Sequence, residues 1–177
     1  MADPDKTADA VFRIFIQAVI QRVWRALTKH GQAQGAVFNA KLHSTGALGA
    51  GVPMQMRTGS GKHVIVDGGV QVFEPPFRFV HTHRFTQFDD PVCQVSYELK
   101  PVGGGVEVTL RVIGMPAGSR TAKSMASGGH SIVNALKAIC ETGRPALGTR
   151  LLYRVFDWME FVLPARTRSE HWPLKNP

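Results

Sequence analysis

The most constraining feature of this sequence is a series of short alternating segments followed by one long amphipathic helix pattern. Between residues 38 and 114, apolar and polar residues alternate in short runs separated by glycine and proline turns, which is typical of strands joined by hairpins. Residues 119–142 then place apolar side chains at helical spacing, and Gly143 and Pro145 follow as stop signals. Because such an antiparallel sheet has one apolar face, we expect the long helix to cover that face.

Three further segments complete the predicted architecture. Residues 11–18 have a strand pattern and residues 19–29 a helical one, and residues 147–163 form a second helical pattern after the long helix. We therefore predict an α+β fold with a curved antiparallel sheet wrapped around the long C-terminal helix, plus an extra C-terminal helix. The predicted boundaries are a disordered N-terminal segment at 1–10, one domain at 11–143 and a helical C-terminal extension at 144–177.

Composition excludes several classes of protein. The chain has 177 residues, of which 44% are hydrophobic and 19% charged, as in a globular domain rather than a disordered one. Two cysteines, Cys93 and Cys140, are too few for a disulfide framework, and the N-terminus is too polar for a signal peptide. No apolar run is long enough to cross a bilayer. These features predict a cytoplasmic protein.

The formal net charge of +8 raises the question of an anionic partner. Most basic residues are scattered, and no helix-turn-helix, RNA-recognition or zinc-finger pattern accompanies them. The one basic cluster is in the C-terminal extension and consists of Arg144, Arg150, Arg154, Arg166 and Arg168. We therefore do not expect nucleic acid as a partner.

The sharpest local feature is a pair of histidines, His81 and His83, in one predicted strand. Residues two apart in a strand project to the same face, about 7 Å from each other. Phe77, Phe79 and Phe85 share this parity, and three phenylalanines indicate the core side of the sheet. Both imidazoles should therefore point inward, where polar groups line a cavity or bind a ligand.

A strand histidine pair is also a potential metal site if a third ligand is available. His63, Asp67 and His130 are the candidates for that ligand. We favour cavity lining, and we expect neither a metal nor another cofactor. We also predict no catalytic residue, because Glu98 and Glu107 have solvent-facing parity and the sequence has no nucleophile motif.

The predicted cavity lies beneath the long helix. The residues assigned to it share inward parity on their strands or a place on the long helix. They are Met54, Met56, Phe79, His81, His83, Tyr97, Leu110 and His130.

The helix of the extension has a broad apolar face that includes Leu151, Val155 and Trp158. Three surfaces could cover it: its own domain, a second subunit or an anionic membrane. We predict that it packs on its own domain, and we do not expect a membrane partner.

Four segments, in sequence order, form a recognisable set: Val23–Thr28 (VWRALT), Gly69–His83, Val95–Leu110 and Gly129–Gly143. They resemble the VWxALT, GxVxExxPPxxLVxTW, VxxELxPxGGGTxVTL and GWxxxLxxLKxxLExG patterns of the Aha-type (activator of heat-shock-protein ATPase) branch of the START-like, or SRPBCC, superfamily. His83 and His130 stand where that family usually has tryptophan.

The resemblance implies a helix-grip fold, in which a cavity lies between the sheet and the long helix. Similar proteins include lipid and polyketide binders, co-chaperone domains and cyclases. We therefore predict a protein that binds a small apolar or amphipathic molecule. The alternatives are a co-chaperone-like interaction protein of the Aha type and a cyclase, lyase or hydrolase that uses the same cavity. A homodimer and a chaperone partner remain open.

Overall fold

The computed structural model describes residues 7–174 and contains, within them, one curled antiparallel sheet of eight strands with the order β1-β8-β7-β6-β5-β4-β3-β2. The strands are β1 (Thr7–Ile16), β2 (Ala33–Gln34), β3 (Ala40–Ser44), β4 (Pro53–Arg57), β5 (Val64–Glu74), β6 (Arg78–Phe85), β7 (Cys93–Val102) and β8 (Gly105–Pro116). The helices are α1 (Ile20–Thr28), α2 (Arg120–Thr142) and α3 (Leu147–Trp158). Short 3-10 turns follow at Met159–Val162, Ala165–Thr167 and Ser169–His171.

The α+β helix-grip fold predicted from the sequence is confirmed, with α2 as the gripped helix. The Ser119 hydroxyl accepts a hydrogen bond from the Ala122 amide and begins α2. Gly143, at φ 83°, ends it, because glycine adopts the left-handed conformation without a steric penalty. Both ends of α2 are therefore encoded by local sequence.

Close packing at one glycine sets the position of α2 on the sheet. The helix packs mainly against α1 and against the neighbouring strands β1 and β8. A Cβ atom added at Gly129 would lie 2.2 Å from Cε2 of Phe12, which is itself 6% exposed. The absence of a side chain at Gly129 therefore lets the helix backbone lie directly on the Phe12 ring.

The structure differs from the sequence predictions at the N-terminus. Residues 7–10, predicted as part of a disordered segment at 1–10, extend β1 because β8 continues to Pro116 and offers them pairing partners. The rest of that predicted segment, residues 1–6, lies outside the described residues.

Two predictions about individual strands also need correction. Phe38 was expected in a strand, but Phe38 and Asn39 have φ values of 49° and 60°, so β3 begins only at Ala40. Phe77 was expected on the core side, but it precedes β6 in a turn and its side chain is 53% exposed. In both cases a turn places the residue outside the alternation of the strand.

The extension contacts the domain along one side. Tyr153 is the buried residue of α3, and its hydroxyl donates to the carbonyl oxygen of Gly35 at 2.7 Å. Beyond α3, Arg166 donates to the Asp89 carboxylate at 2.8 Å, and the Trp172 carbonyl accepts from Gln55 Nε2 at 3.0 Å. The helix is shorter than predicted, since residues 159–162 form a 3-10 turn instead.

Among residues 7–174, no helix has both the length and the hydropathy that a membrane span requires.

The packing at Gly129 leads to a prediction with an adjacent control. Gly129→Ala should destabilise the protein by roughly 1–3 kcal/mol, because the added methyl group overlaps Phe12 and forces it to move. Gly128→Ala, whose Cβ would lie 3.6 Å from Phe38, should instead stabilise α2 by up to roughly 1 kcal/mol through helix propensity. Urea unfolding of both variants measures the difference, and equal stabilisation by both would contradict the packing argument.

Candidate functional site

A cavity of about 690 Å³ lies between the sheet, the N-terminal half of α2 and the extension. At the same level of α2, Gly129 contacts β1 while Gly128 and Ile132 face this cavity. The apolar wall comes from all three parts of the structure: Ala40, Met56, Ile65, Val66 and Phe85 of the sheet, Met125 and Ile132 of α2, and Phe156, Met159, Val162 and Leu163 of the extension. The polar groups that line it include three serines of α2 and the side chain of His83.

His83 is the buried titratable group of the sheet wall. Its side chain is 8% exposed, and neither ring nitrogen has a hydrogen-bond partner among the described residues. Burial, and to a smaller extent the neighbouring His81, lowers the pKa of His83 to about 3. The imidazole is therefore neutral at physiological pH, with one donor and one acceptor that the described residues leave unsatisfied.

His81 has a different environment one pleat away. Its Nδ1 donates to the backbone carbonyl oxygen of Thr82 at 2.9 Å, and its ring lies 5.8 Å from that of His83 between centroids. Burial lowers the pKa of His81 to about 4, although the Thr82 carbonyl opposes this shift. Phe79 and Tyr97 pack against the same imidazole at centroid distances of 5.2 and 6.5 Å.

The eight residues assigned to a cavity from the sequence separate into three groups. Met56 and His83 line the cavity. Five others are buried in the core cluster or packed against its aromatic rings: Met54, Phe79, His81, Tyr97 and Leu110. His130 is exposed on α2, with its ring edge-on to Phe12 at 4.8 Å.

The physical reason for this separation is the position of α2. Strand parity identifies the inward side of each strand, but it does not say which part of the sheet the helix covers closely. The helix packs tightly near β1 and β8 and leaves open space near β4, β5 and β6. His130 faces outward because the adjacent Gly129 is the position that touches the sheet.

The three residues considered as third metal ligands do not join His81 and His83. His63 Nδ1 lies 2.8 Å from the Thr167 hydroxyl, Asp67 accepts from Gln55 at 3.0 Å, and His130 is exposed. Among residues 7–174, no three histidine, cysteine, aspartate or glutamate side chains are grouped as metal ligands.

The extension contributes residues to this site that were not predicted from the sequence. Phe156 and Met159 line the cavity, as do the carboxylate residues Asp157 and Glu160. Burial alone would raise the pKa of Glu160, but the hydroxyl groups of Ser60 and Thr58 donate to its carboxylate and hold the pKa below its ordinary value. The helical pattern of residues 147–163 was visible, but nothing in it specified which surface would receive it.

Several solved structures have a fold similar to that of this chain. DynU16, from the dynemicin biosynthetic locus, superposes with a TM-score of 0.63 at 21% identity over 79% of this chain, which spans about half (49%) of DynU16. The Aha1 dimer from Colwellia psychrerythraea gives 0.62 at 18% identity, covering 77% of this chain and 98% of that one. CalU16 from Micromonospora echinospora gives 0.59 at 17% identity, covering 88% and 87%.

These identities establish the common fold and no more. A sequence comparison with curated proteins returns no match. A family model described as "Activator of Hsp90 ATPase homolog 1-like protein" matches residues 7–141, from the start of β1 to the end of α2. The chain therefore belongs to the Activator of Hsp90 ATPase homolog 1-like protein family.

Proposed function

We propose that this protein binds a small apolar or amphipathic molecule in the cavity beneath α2. The observation that carries the proposal is a cavity of about 690 Å³ with a mainly apolar wall and one buried, unpartnered imidazole. Its size falls within the roughly 300–1,000 Å³ of ordinary ligand pockets, which combine apolar walls with few polar groups. Its wall spans the sheet, α2 and the extension, so a bound molecule would contact all three.

The chemistry of His83 narrows the class of ligand. A neutral imidazole can donate one hydrogen bond and accept another, and leaving both unmade in a buried site is unfavourable. Both ring nitrogens are enclosed in the structure, so a ligand hydroxyl or carbonyl group would satisfy one of them after the ring turns that nitrogen toward the cavity. A permanently charged group placed against His83 would lose its hydration without gaining an opposite charge there. We therefore propose a mostly apolar ligand with at least one such uncharged polar group at His83.

Acid–base catalysis is a weaker interpretation of the same cavity. A general base works best with a pKa near the operating pH, whereas burial lowers the pKa of His83 to about 3. Burial likewise raises the pKa of the Cys93 thiol to about 11, which makes it a poor nucleophile. These values favour binding over a cyclase, lyase or hydrolase.

The family match over residues 7–141 supports a second candidate, a co-chaperone-like interaction with an Hsp90-type ATPase. Addition of the protein to such an ATPase, with the rate of ATP hydrolysis as the measurement, tests this candidate separately from ligand binding. An unchanged rate at saturating protein would eliminate it.

Two probes that differ only in a hydroxyl group test the proposed ligand class. The wild-type protein should bind both naphthalene and 2-naphthol, and His83→Phe should weaken 2-naphthol binding by roughly threefold to tenfold, the value of about one hydrogen bond. Naphthalene affinity should stay the same or rise, because phenylalanine keeps the ring and removes the polar atoms. Probe fluorescence measures both affinities.

Exposed His130 provides the matched control, since His130→Phe makes the same change outside the cavity and should alter neither affinity. Failure of wild-type protein to bind either probe would contradict the cavity proposal. If His83→Phe lost affinity for both probes equally, the proposed hydrogen bond would be contradicted but the cavity proposal would not.

The buried histidines also predict a pH dependence of stability. Their pKa values, about 3 for His83 and about 4 for His81, lie below the unfolded value of 6.5, so the unfolded chain binds more protons as the pH falls. Each neutral histidine should therefore cost about 1.4 kcal/mol of stability per pH unit between about pH 6 and the folded-state pKa. Above the unfolded pKa this contribution is constant.

The measurement is urea unfolding of wild type and His83→Phe from about pH 7.5 down to about pH 5. The variant should gain stability relative to wild type as the pH falls, by about 1.4 kcal/mol per unit below pH 6. A difference that does not change with pH would show that His83 does not remain neutral in the folded protein.

A further inference from the structure

The extension has an unusual distribution of apolar side chains. The outer face of the extension consists of Leu147, Leu151, Val155, Trp158 and Phe161. Four of them are 65–77% exposed and Val155 is 42% exposed, and none lines the cavity. In α3, the positions 147, 151, 155 and 158 follow the helical repeat and lie away from buried Tyr153.

This arrangement is the reverse of an ordinary surface helix, which buries its apolar stripe and exposes its polar one. The polar contacts of the extension are instead directed at the domain, through the Tyr153 hydroxyl and the Glu160 carboxylate. Trp158 and Phe161 also pack edge-to-face at 5.8 Å, which joins the end of α3 to the following 3-10 turn in one apolar surface. An exposed apolar surface of this kind indicates that something covers it.

The charges beside the outer face distinguish between the kinds of partner that could cover it. Arg150 and Arg154 flank the apolar stripe at helical spacing, Arg144 precedes it, and none of the three forms an ion pair within residues 7–174. Of the two acidic residues of the same stretch, Glu160 is directed at Thr58 and Ser60 of the domain, whereas Asp157 is exposed and offsets one of the three arginine charges.

A second copy of the chain would present the same arginines to an isologous interface, where like charges repel. An anionic bilayer offers a better match, because its interior accepts apolar side chains while its headgroups attract arginine. Tryptophan and phenylalanine suit the boundary between the two.

We infer that the outer face binds the surface of an anionic membrane, with α3 lying in the plane of the interface. The inference does not depend on the identity of any cavity ligand. Phe156 and Met159 of the same segment form part of the cavity wall, so membrane binding would bring the segment that carries this wall to the bilayer surface. This reverses our expectation from the sequence that no membrane partner exists, for the reason that α3 turns its apolar stripe outward.

Sedimentation with vesicles tests the inference on the full chain without any added ligand. Wild-type protein should bind to vesicles made of equal parts phosphatidylcholine and phosphatidylglycerol. It should bind much less to vesicles of phosphatidylcholine alone. Leu151→Ser with Trp158→Ser should abolish binding. Phe77→Ser, which changes another exposed aromatic residue far along the sequence, should not.

The contribution of charge is tested by two double variants that lower the net charge equally. Arg150→Gln with Arg154→Gln should weaken binding by about fivefold per arginine, from about 1 kcal/mol for each basic residue at an anionic surface. Arg13→Gln with Lys100→Gln, both exposed on the sheet, should have little effect. Equal losses in both would indicate attraction by net charge alone and overturn the inference.

Two further measurements, the oligomeric state and the binding of a protein partner, can overturn the membrane inference. If wild type ignores anionic vesicles and is a dimer that Leu151→Ser with Trp158→Ser converts to a monomer, the outer face is a subunit interface and the membrane inference is wrong. It is equally wrong if wild type ignores vesicles and the outer face binds an acidic protein. Naphthalene and 2-naphthol binding, measured without lipid, reports on the cavity in every case.

Discussion

The direct contact between Gly129 of α2 and the Phe12 ring of β1 sets the distance between helix and sheet, on which the rest of the structure depends. A helix cannot follow the curl of an eight-stranded sheet, so close packing at β1 and β8 leaves α2 farther from β4, β5 and β6. The cavity occupies that space. It results from packing a straight helix against a curved sheet, and the extension lines its outer side.

Two buried polar residues near this cavity differ in whether their polar atoms have hydrogen-bond partners. Gln55 is 1% exposed, yet its amide donates to Asp67 and to the Trp172 carbonyl oxygen, so its burial is compensated. His83, at 8% exposure, is also buried, but its ring nitrogens have no such partner among residues 7–174. An unsatisfied buried polar group costs roughly 1–3 kcal/mol, so His83 lowers the stability of the fold where Gln55 does not.

Much of the fold could be predicted because its signals are local. The cap at Ser119, the stop at Gly143 and the alternation around His81 each depend on a few neighbouring residues. The site was harder to predict, because it depends on contacts between residues far apart in sequence. Parity predicted that His83 points inward, but only the Gly129–Phe12 contact determines that His83 meets open space while Tyr97 meets packed side chains. The wall at Phe156 depends in the same way on where the extension docks.

The dependence of the cavity on the extension has a consequence for the order in which the site is completed during synthesis. The outer wall comes from residues between Phe156 and Pro164, which follow every strand of the sheet and the whole of α2 in the chain. Because segments fold broadly in the order in which they leave the ribosome, the grip of sheet and helix can form before this wall is made. During that interval the groove is open along the whole side that these residues later line, and the site of the newly made chain differs in shape from that of the finished protein.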